Sequence, residues 1–487
     1  MKCKTTPTNE EAHELSKMLS APTSPTETKE AMEVTARRSM FADTFCLVLT
    51  SSRACELSAC CGGKDSSQSK QPRSTTEKGG LSGLIIDSNY IIERLNKKMR
   101  EKQQITSEQD FLNLLQPQKD EDGNVIADTH LPTEDLLEAF SDLRLKLAEH
   151  MKLDDVLFLF GNGASIYAGS QDTRKFKLED YRAKYADLSS IIDEVGKLRG
   201  IEDQLNALIT VKSYYNLVKD EEKGKIVNNL IDDIKSVLIE TFVNSVDYRR
   251  LFLHEIFLLK LRTFGCLRRT DIYTPNYDLA FEYSLDQLAI DYRDGFSGFV
   301  NRIFDPRTLQ GKDKTGLIKI HGSVNWIVED GQVKEFQPKF LNGKVIIDDT
   351  APVLIYPTSH KLYQTYSTPY SELMRHMLDE MQIGKNVVIV LGYKYGDDHI
   401  NEILFKALEN PNNIFYFFLY NPDESGEFVD QLKRLADSMP NINILTGKVL
   451  ADFETFVKYI LPATPEKTDQ EKAIELLQKV LVGHAGK

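Results

Sequence analysis

Cysteine, histidine and tryptophan are scarce in this chain, and basic residues are outnumbered. Five of the six cysteines, Cys3, Cys46, Cys55, Cys60 and Cys61, fall in the first 61 residues, and Cys266 stands alone in the rest. A disulfide framework would spread its cysteines through the folded part. A four-thiolate zinc site needs two close pairs, usually in C-x-x-C form. Cys60 and Cys61 are adjacent and Cys55 lies five residues before Cys60, a spacing that suits neither. Reduced thiols in a loose tail and a cytosolic compartment are the expectation. The nine histidines contain no H-E-x-x-H pattern. Lys and Arg number 60 against 73 Asp and Glu, a formal charge of −13, which disfavours a generic nucleic-acid binder because phosphate contacts need a positive footprint. No apolar run reaches the roughly 18 residues of a membrane-spanning helix. The opening MKCKTTPTNEEAHELS lacks the apolar stretch of a secretory signal, and the apolar segment Phe41 to Leu49 is short and far from the start.

What is present reads as a folded chain. Hydrophobic residues at 41% and charged residues at 27% are ordinary for a globular protein, and 487 residues suit one large α/β domain with additions, or two domains. Residues 1–84 are rich in Ser, Thr, Lys, Glu and Gly, and the stretch CCGGKDSSQSKQPRSTTEKGGLSG has linker composition, so a disordered tail is expected there. From Leu84, LIIDSNYIIERLNKKMREKQQ has helical spacing, and a second helix is expected through TEDLLEAFSDLRLKLAEHMK with Thr133 as its N-cap. Residues 85–150 thus read as a helical N-terminal segment, and EKTDQEKAIELLQKVLVGHAGK as a C-terminal helix over 466–487.

Val156 to Phe160, VLFLF, is an apolar run without alternation, the pattern of a strand buried on both faces of a parallel sheet. A helix-rich stretch to about Arg268 follows. Strand candidates then recur as DIYTPN, GLIKIHG, PVLIYP, NVVIVLG, IFYFFLY and INILTG, several separated by helical stretches. This alternation predicts a parallel sheet covered on both faces.

Chemistry-bearing residues cluster after those strands. Gly161 and Gly163 permit a tight turn after VLFLF, and a helix starting there would aim its amides at a diphosphate; the third glycine of G-x-G-x-x-G is replaced by Ile166. TPNYD places Asn276, Tyr277 and Asp278 where a parallel sheet binds ligands, although Asn and Asp also cap helices. In KIHGSVNW, His321 beside Gly322 at a strand end is expected to face a crevice and could act as a base, with a structural role as the plainer reading. GYKYGDDHIN follows another strand with Gly392, Tyr393, Tyr395, Asp397, His399 and Asn401, and Asn421 with Pro422 closes the next.

The order of these motifs, GNGAS, TPNYD, KIHGSVNW, GYKYGDDHIN, strand–Asn–Pro and strand–Gly–helix, resembles the sirtuin superfamily over about 154–462. Their forms are most similar to the sirtuin-like NAD hydrolases of bacterial anti-phage defence, in particular the sirtuin-like subunit that partners a HerA-type ATPase. The resemblance implies a Rossmann-like parallel sheet of sirtuin type over 151–465, with a helical insertion and flanking helices. It also implies NAD as substrate, no metal, a homo-oligomer, and abortive infection by NAD depletion. By match, Asn276 would position the attacking water or the nicotinamide ribose, Asp278 would lie near the carboxamide, and His321 would be the general base. Gly161, Gly163, Ala164 and Ser165 would hold the diphosphate, Gly392, Tyr393 and Asn421 would line the adenosine end, and Tyr277 would be a further cofactor-binding residue. Two features of the deacylase branch are missing: the two thiolate pairs of its zinc ribbon, and the G-I-P-D-F-R stretch, replaced here by IYAGSQDTRKFK with Arg174 and Lys175 as candidate cations. An NAD-dependent protein deacylase and a non-catalytic sensor of NAD or ADP-ribose remain the alternatives.

Overall fold

The computed structural model describes residues 83–99, 104–119, 125–127, 129–153, 155–171, 176–198, 201–238, 245–346, 368–421 and 426–464. The expected tail, the strand PVLIYP, the C-terminal helix 466–487, five of the cysteines, Arg174, Lys175 and Pro422 lie outside them.

Eight strands form one sheet: β1 (Leu84–Asp87), β2 (Asp155–Phe160), β3 (Thr270–Thr274), β4 (Tyr292–Arg293), β5 (Thr315–Lys319), β6 (Asn386–Leu391), β7 (Ile414–Leu419) and β8 (Ile442–Thr446). Their order across the sheet is β1-β8-β7-β6-β2-β3-β5-β4, and every neighbouring pair is parallel. Apolar residues sort by parity, as a two-residue side-chain period requires. In β2, Val156, Phe158 and Phe160 enter one core and Leu157 and Leu159 the other; in β6, Val387, Ile389 and Leu391 divide from Val388 and Val390 in the same way. The first core is closed by helices Ser141–Leu153 and Phe252–Phe264, with Phe158 and Phe160 edge-on to Phe257 at 4.9 and 5.2 Å between ring centroids. The second is closed by helices Tyr370–Gln382, Asp398–Leu408 and Glu427–Ala436. Each fully buried Phe or Leu contributes about 1.5–3 kcal/mol, so these two apolar faces fix the three layers. The chain is an α/β protein with a Rossmann-like sheet.

Two expectations change. LIID is not helical: it is β1, which pairs with β8 at the sheet edge, and the helix begins at Ser88, where Asp87 caps the Asn89 amide. The helices after it bury Ile91, Ile92, Leu136, Leu143 and Met151 in the first core. Thr133 is the first residue of helix Thr133–Ala139 rather than its cap, and no side chain caps that end. The expected helical insertion lies between β2 and β3. Helices Ser189–Val195, Ile201–Leu217 and Glu221–Leu238 gather a separate apolar cluster around Ile192, Leu205, Leu208, Leu230 and Ile234. All described residues fall within one compact unit, Lys78–Lys487.

Candidate active site

From β2 the chain winds outward through β3 to β5 and β4, then returns to place β6 on the opposite side of β2. The reversal between β2 and β6 is the topological switch point, where loops part at the carboxyl ends of the strands and leave a crevice. Gly161 and Gly392 are the residues immediately after these two strands.

Their backbones touch. Gly161 N–H donates to Leu391 O at 3.1 Å and Gly163 N–H to Gly392 O at 3.0 Å. A Cβ on Gly161 would fall 2.4 Å from Gly392 O, and Gly392 itself sits at φ +68°. These glycines are therefore required by loop-to-loop contact. The expected helix after Gly163 is absent: two three-residue 3₁₀ turns, Asn162–Ala164 and Ile166–Ala168, follow and end at Gly169 with φ +104°. The Ala164 and Ser165 amides donate to Gly161 O and Asn162 O at 3.1 and 2.9 Å. All four residues expected to hold a diphosphate thus spend their amides inside the protein. Ser165 Oγ is buried with no partner among the described residues, as is Ser323 Oγ in the loop after β5. Buried hydroxyls are normally satisfied, so both loops hold a donor suited to a ligand or an ordered water.

Asn276 is held by its neighbours. Thr274 Oγ donates to Phe160 O at 2.7 Å, linking β3 to β2, and accepts from Asn276 N–H at 3.0 Å. Asn276 Nδ2 donates to Gly161 O at 3.2 Å. A carbonyl accepts only, so this contact fixes the amide orientation and leaves Oδ1 as an acceptor without a partner among the described residues. Asn276 is 9% exposed.

His321 lies at the matching position one strand over. The register pairs Thr274 with Lys319, so Asn276 and His321 are each two residues beyond a paired position in adjacent parallel strands, which run about 4.8 Å apart. The two loops are joined where Ile320 N–H donates to Thr274 O at 3.0 Å and Val324 N–H to Tyr277 O at 3.2 Å. His321 is more enclosed than expected, at 6% exposure. Its Nε2 lies 3.0 Å from Asp397 Oδ2, and Nδ1 has no partner among the described residues.

Asp278 Oδ1 accepts from Ala280 N–H at 3.0 Å in the turn that leads into helix Ala280–Gln287, whose N-cap position is Leu279. The Asp278 carbonyl accepts from the buried Lys319 ammonium, which also pairs with Glu282 at 3.2 Å. Tyr277 is half-buried against Tyr248, Leu279 and Val324. The Tyr393 hydroxyl donates to Asp397 O at 3.1 Å and accepts from Asp397 N–H at 3.2 Å, fastening its own loop, and burial raises its pKa well above the usual phenol value. Asn421 is exposed just beyond β7.

Sequence reasoning missed the partners: Thr274, Lys319, Glu282 and the pairing role of Asp397. It also missed a buried ionic cluster beyond Ser323. There Arg302 pairs with Asp294 at 2.8 Å and Glu335 at 2.6 Å, and Asn325 Nδ2 donates to Glu335 at 3.1 Å. Burial, with the Asp294 carboxylate beside it, pushes the Glu335 carboxyl up to about 8. Among the described residues, no three His, Cys, Asp or Glu side chains are grouped so as to hold a metal ion.

Polar side chains gathered at the switch point of a parallel sheet stand where ligand crevices form in an α/β fold. Within it, residues 270–439 match the model of the SIR2-like domain, so a SIR2-like domain is present over this part of the chain. The match includes Asn276, His321, Gly392, Asp397 and Asn421; Gly161 to Ser165 precede it and join the site through the contacts with Gly392. No curated protein matches the chain.

Proposed function

We infer that this chain is a NAD hydrolase that cleaves the nicotinamide–ribose bond and releases nicotinamide and ADP-ribose. The observation that carries the reading is the placement of two open acceptors, Asn276 Oδ1 and His321 Nδ1, at matching positions beside the switch point of a SIR2-like domain. A water donating to both would keep its lone pairs free, one of them directed at the ribose C1′. Nicotinamide leaves as the C1′–N1 bond breaks and its electron pair returns to the ring nitrogen. That nitrogen is cationic in NAD, so departure needs no acid, and the transition state has oxocarbenium character. The water oxygen bonds to C1′, its proton passes to His321, and His321 releases it to solvent. The protein supplies orientation and a base.

In this reading NAD lies across the crevice, with Ser165 donating to a diphosphate oxygen, Asp278 and Tyr277 near the nicotinamide end, and Gly392, Tyr393 and Asn421 near the adenosine. Because the amides of Gly161, Gly163, Ala164 and Ser165 are spent inside the protein, this reading gives the diphosphate to side-chain donors.

An unrestrained NADase depletes its own cell, so the activity is held until a partner arrives. A homo-oligomer joined to a HerA-type ATPase in anti-phage defence fits that need. Helices in 85–150 are occupied with the core, whereas Phe299 and Val300 at a hairpin tip and Leu217 at a helix end stand 80–85% exposed and are candidate contacts.

The test is chromatography of NAD incubated with the full chain, alone and with a HerA-type ATPase. Nicotinamide and ADP-ribose without any peptide support the reading. NAD loss only with an acyl-lysine peptide would make the chain a deacylase, and binding without loss in either condition would make it a sensor.

A further inference from the structure

We propose that Asp397 is a positioning residue for His321, holding the imidazole in the tautomer with its proton on Nε2 so that Nδ1 is the basic atom. The inference rests on the reading of His321 as the base. Asp397 precedes helix Asp398–Leu408, in the loop after β6, whereas His321 follows β5; β2 and β3 lie between these strands in the sheet. The contact at 3.0 Å is thus made across the site by a residue remote in the chain.

Both groups are enclosed, with side chains 8% and 10% exposed. Nε2 is the ring nitrogen beside the carboxylate, at 3.0 Å, and a carboxylate only accepts, so pairing there selects the tautomer with the proton on Nε2. A neutral imidazole has one N–H, which leaves the Nδ1 lone pair open, and Nδ1 is the ring atom with no partner among the described residues. When Nδ1 takes the proton of the attacking water, the imidazolium formed already has a carboxylate against its far edge. No proton passes to Asp397.

The carboxylate is itself held. Oδ1 accepts from His399 N–H at 3.1 Å and Ile400 N–H at 3.4 Å, so Asp397 is the helix N-cap, while Oδ2 faces His321. The Asp397 carbonyl and amide are both bound by the Tyr393 hydroxyl. One carboxyl group therefore ends a helix and sets a ring, and two substitutions separate these roles. Asparagine caps as well as aspartate, so Asp397→Asn keeps the helix end and removes the charge. Asp397→Ala removes both.

The experiment uses the full chain labelled with ¹⁵N-histidine, His321 being assigned by the signal lost in His321→Gln. Long-range ¹H–¹⁵N spectra are recorded at alkaline pH, where imidazole is neutral. The proposal expects His321 in the Nε2–H form in the wild type and a mixed or reversed tautomer in Asp397→Asn, with an unchanged melting temperature. A wild-type His321 in the Nδ1–H form, or a tautomer unmoved by Asp397→Asn, would overturn it whether or not NAD is consumed. Turnover gives the second readout: kcat for nicotinamide release falls on the order of 10²-fold or more in Asp397→Asn with KM little changed, as for a base in the wrong tautomer. An active wild type silenced by His321→Gln but not slowed by Asp397→Asn would remove Asp397 alone. Activity surviving His321→Gln would remove the underlying reading of the base.

Discussion

His321 and Asn276 supply different parts of the same step, and their substitutions separate them. His321→Ala removes the base and is expected to lower kcat by about 10²–10⁴-fold. Asn276→Ala removes the water's second acceptor and also the contact with Gly161 O, so it lowers kcat comparably and loosens the crossing of the β2 and β6 loops. Steady-state nicotinamide release and a melting curve on each variant check this. A His321→Ala protein with full kcat would remove the site. Both residues were legible in the sequence because each stands immediately after a strand-like run, where parallel sheets bind ligands. Asp397 was legible only as one of the polar residues that follow a strand; its cap on the next helix and its pairing with His321 were not. Contacts between loops distant in the chain leave no local pattern, and the strand order that joins these two is itself a product of the fold.

Among the elements, the crossing of the β2 and β6 loops is the most constrained. Gly392 combines φ +68° with a Cβ position 2.8 Å from Ala164 N, whereas Gly384, at φ +84°, has nothing within 4 Å. Gly384→Ala therefore meets only backbone strain, about 1–2 kcal/mol, and Gly392→Ala adds a backbone clash to it. Denaturant midpoints should rank Gly392→Ala as the more destabilised; equal losses would contradict the crossing. A second element-scale device is the Lys319–Glu282 pair, with side chains 4% and 14% exposed, which joins β5 to helix Ala280–Gln287 under the site. Breaking one side leaves a buried charge, so Lys319→Met is expected to cost about 3–5 kcal/mol, and Lys319→Met with Glu282→Leu to recover most of it. Chemical denaturation of the single and double variants checks that recovery. Central strands such as VLFLF and NVVIVL were readable because both faces are buried. The edge strand LIID was not: Leu84 and Ile85 are exposed, and its apolar residues run straight into the helical spacing of NYIIERL. The helix expected after Gly163 was misread because a glycine turn after a strand resembles a helix start, while here the chain stays against the β6 loop in 3₁₀ turns.

Across the whole molecule, buried ionisable groups give stability a pH dependence with two limbs. Burial depresses His150 to about 4 and His254 to about 3. Unfolded histidine binds its proton near 6.5, so the unfolded chain takes up more protons, and stability is lost as pH falls from about 6.5 through those values. Glu335 runs the other way. Its folded pKa of about 8 lies above the ordinary carboxyl value of about 4.5, so its contribution is full below 4.5 and is lost as pH rises through about 8. Between pH about 6.5 and 8, Glu335→Gln should flatten the decline; melting temperatures across that range check it, and an unchanged slope would assign the decline to other groups. The α/β class and the helical insertion were visible in the alternation of strand-like and helical runs. The buried cluster of Asp294, Arg302 and Glu335 was not, because Arg302 and Glu335 lie on short strands with mixed composition and Asp294 lies between two others. No helix among the described residues is long and apolar enough to cross a membrane.

The central claim is that the crevice between the β2 and β6 loops turns over NAD through His321 and Asn276. Its most direct test is nicotinamide release from NAD by the wild-type chain, His321→Ala and Asn276→Ala, measured side by side with the HerA-type ATPase present and absent. The account predicts release by the wild type in at least one condition and near-complete loss in both variants, with folding intact. Release that persists in both variants, or none by the wild type in either condition, would contradict it.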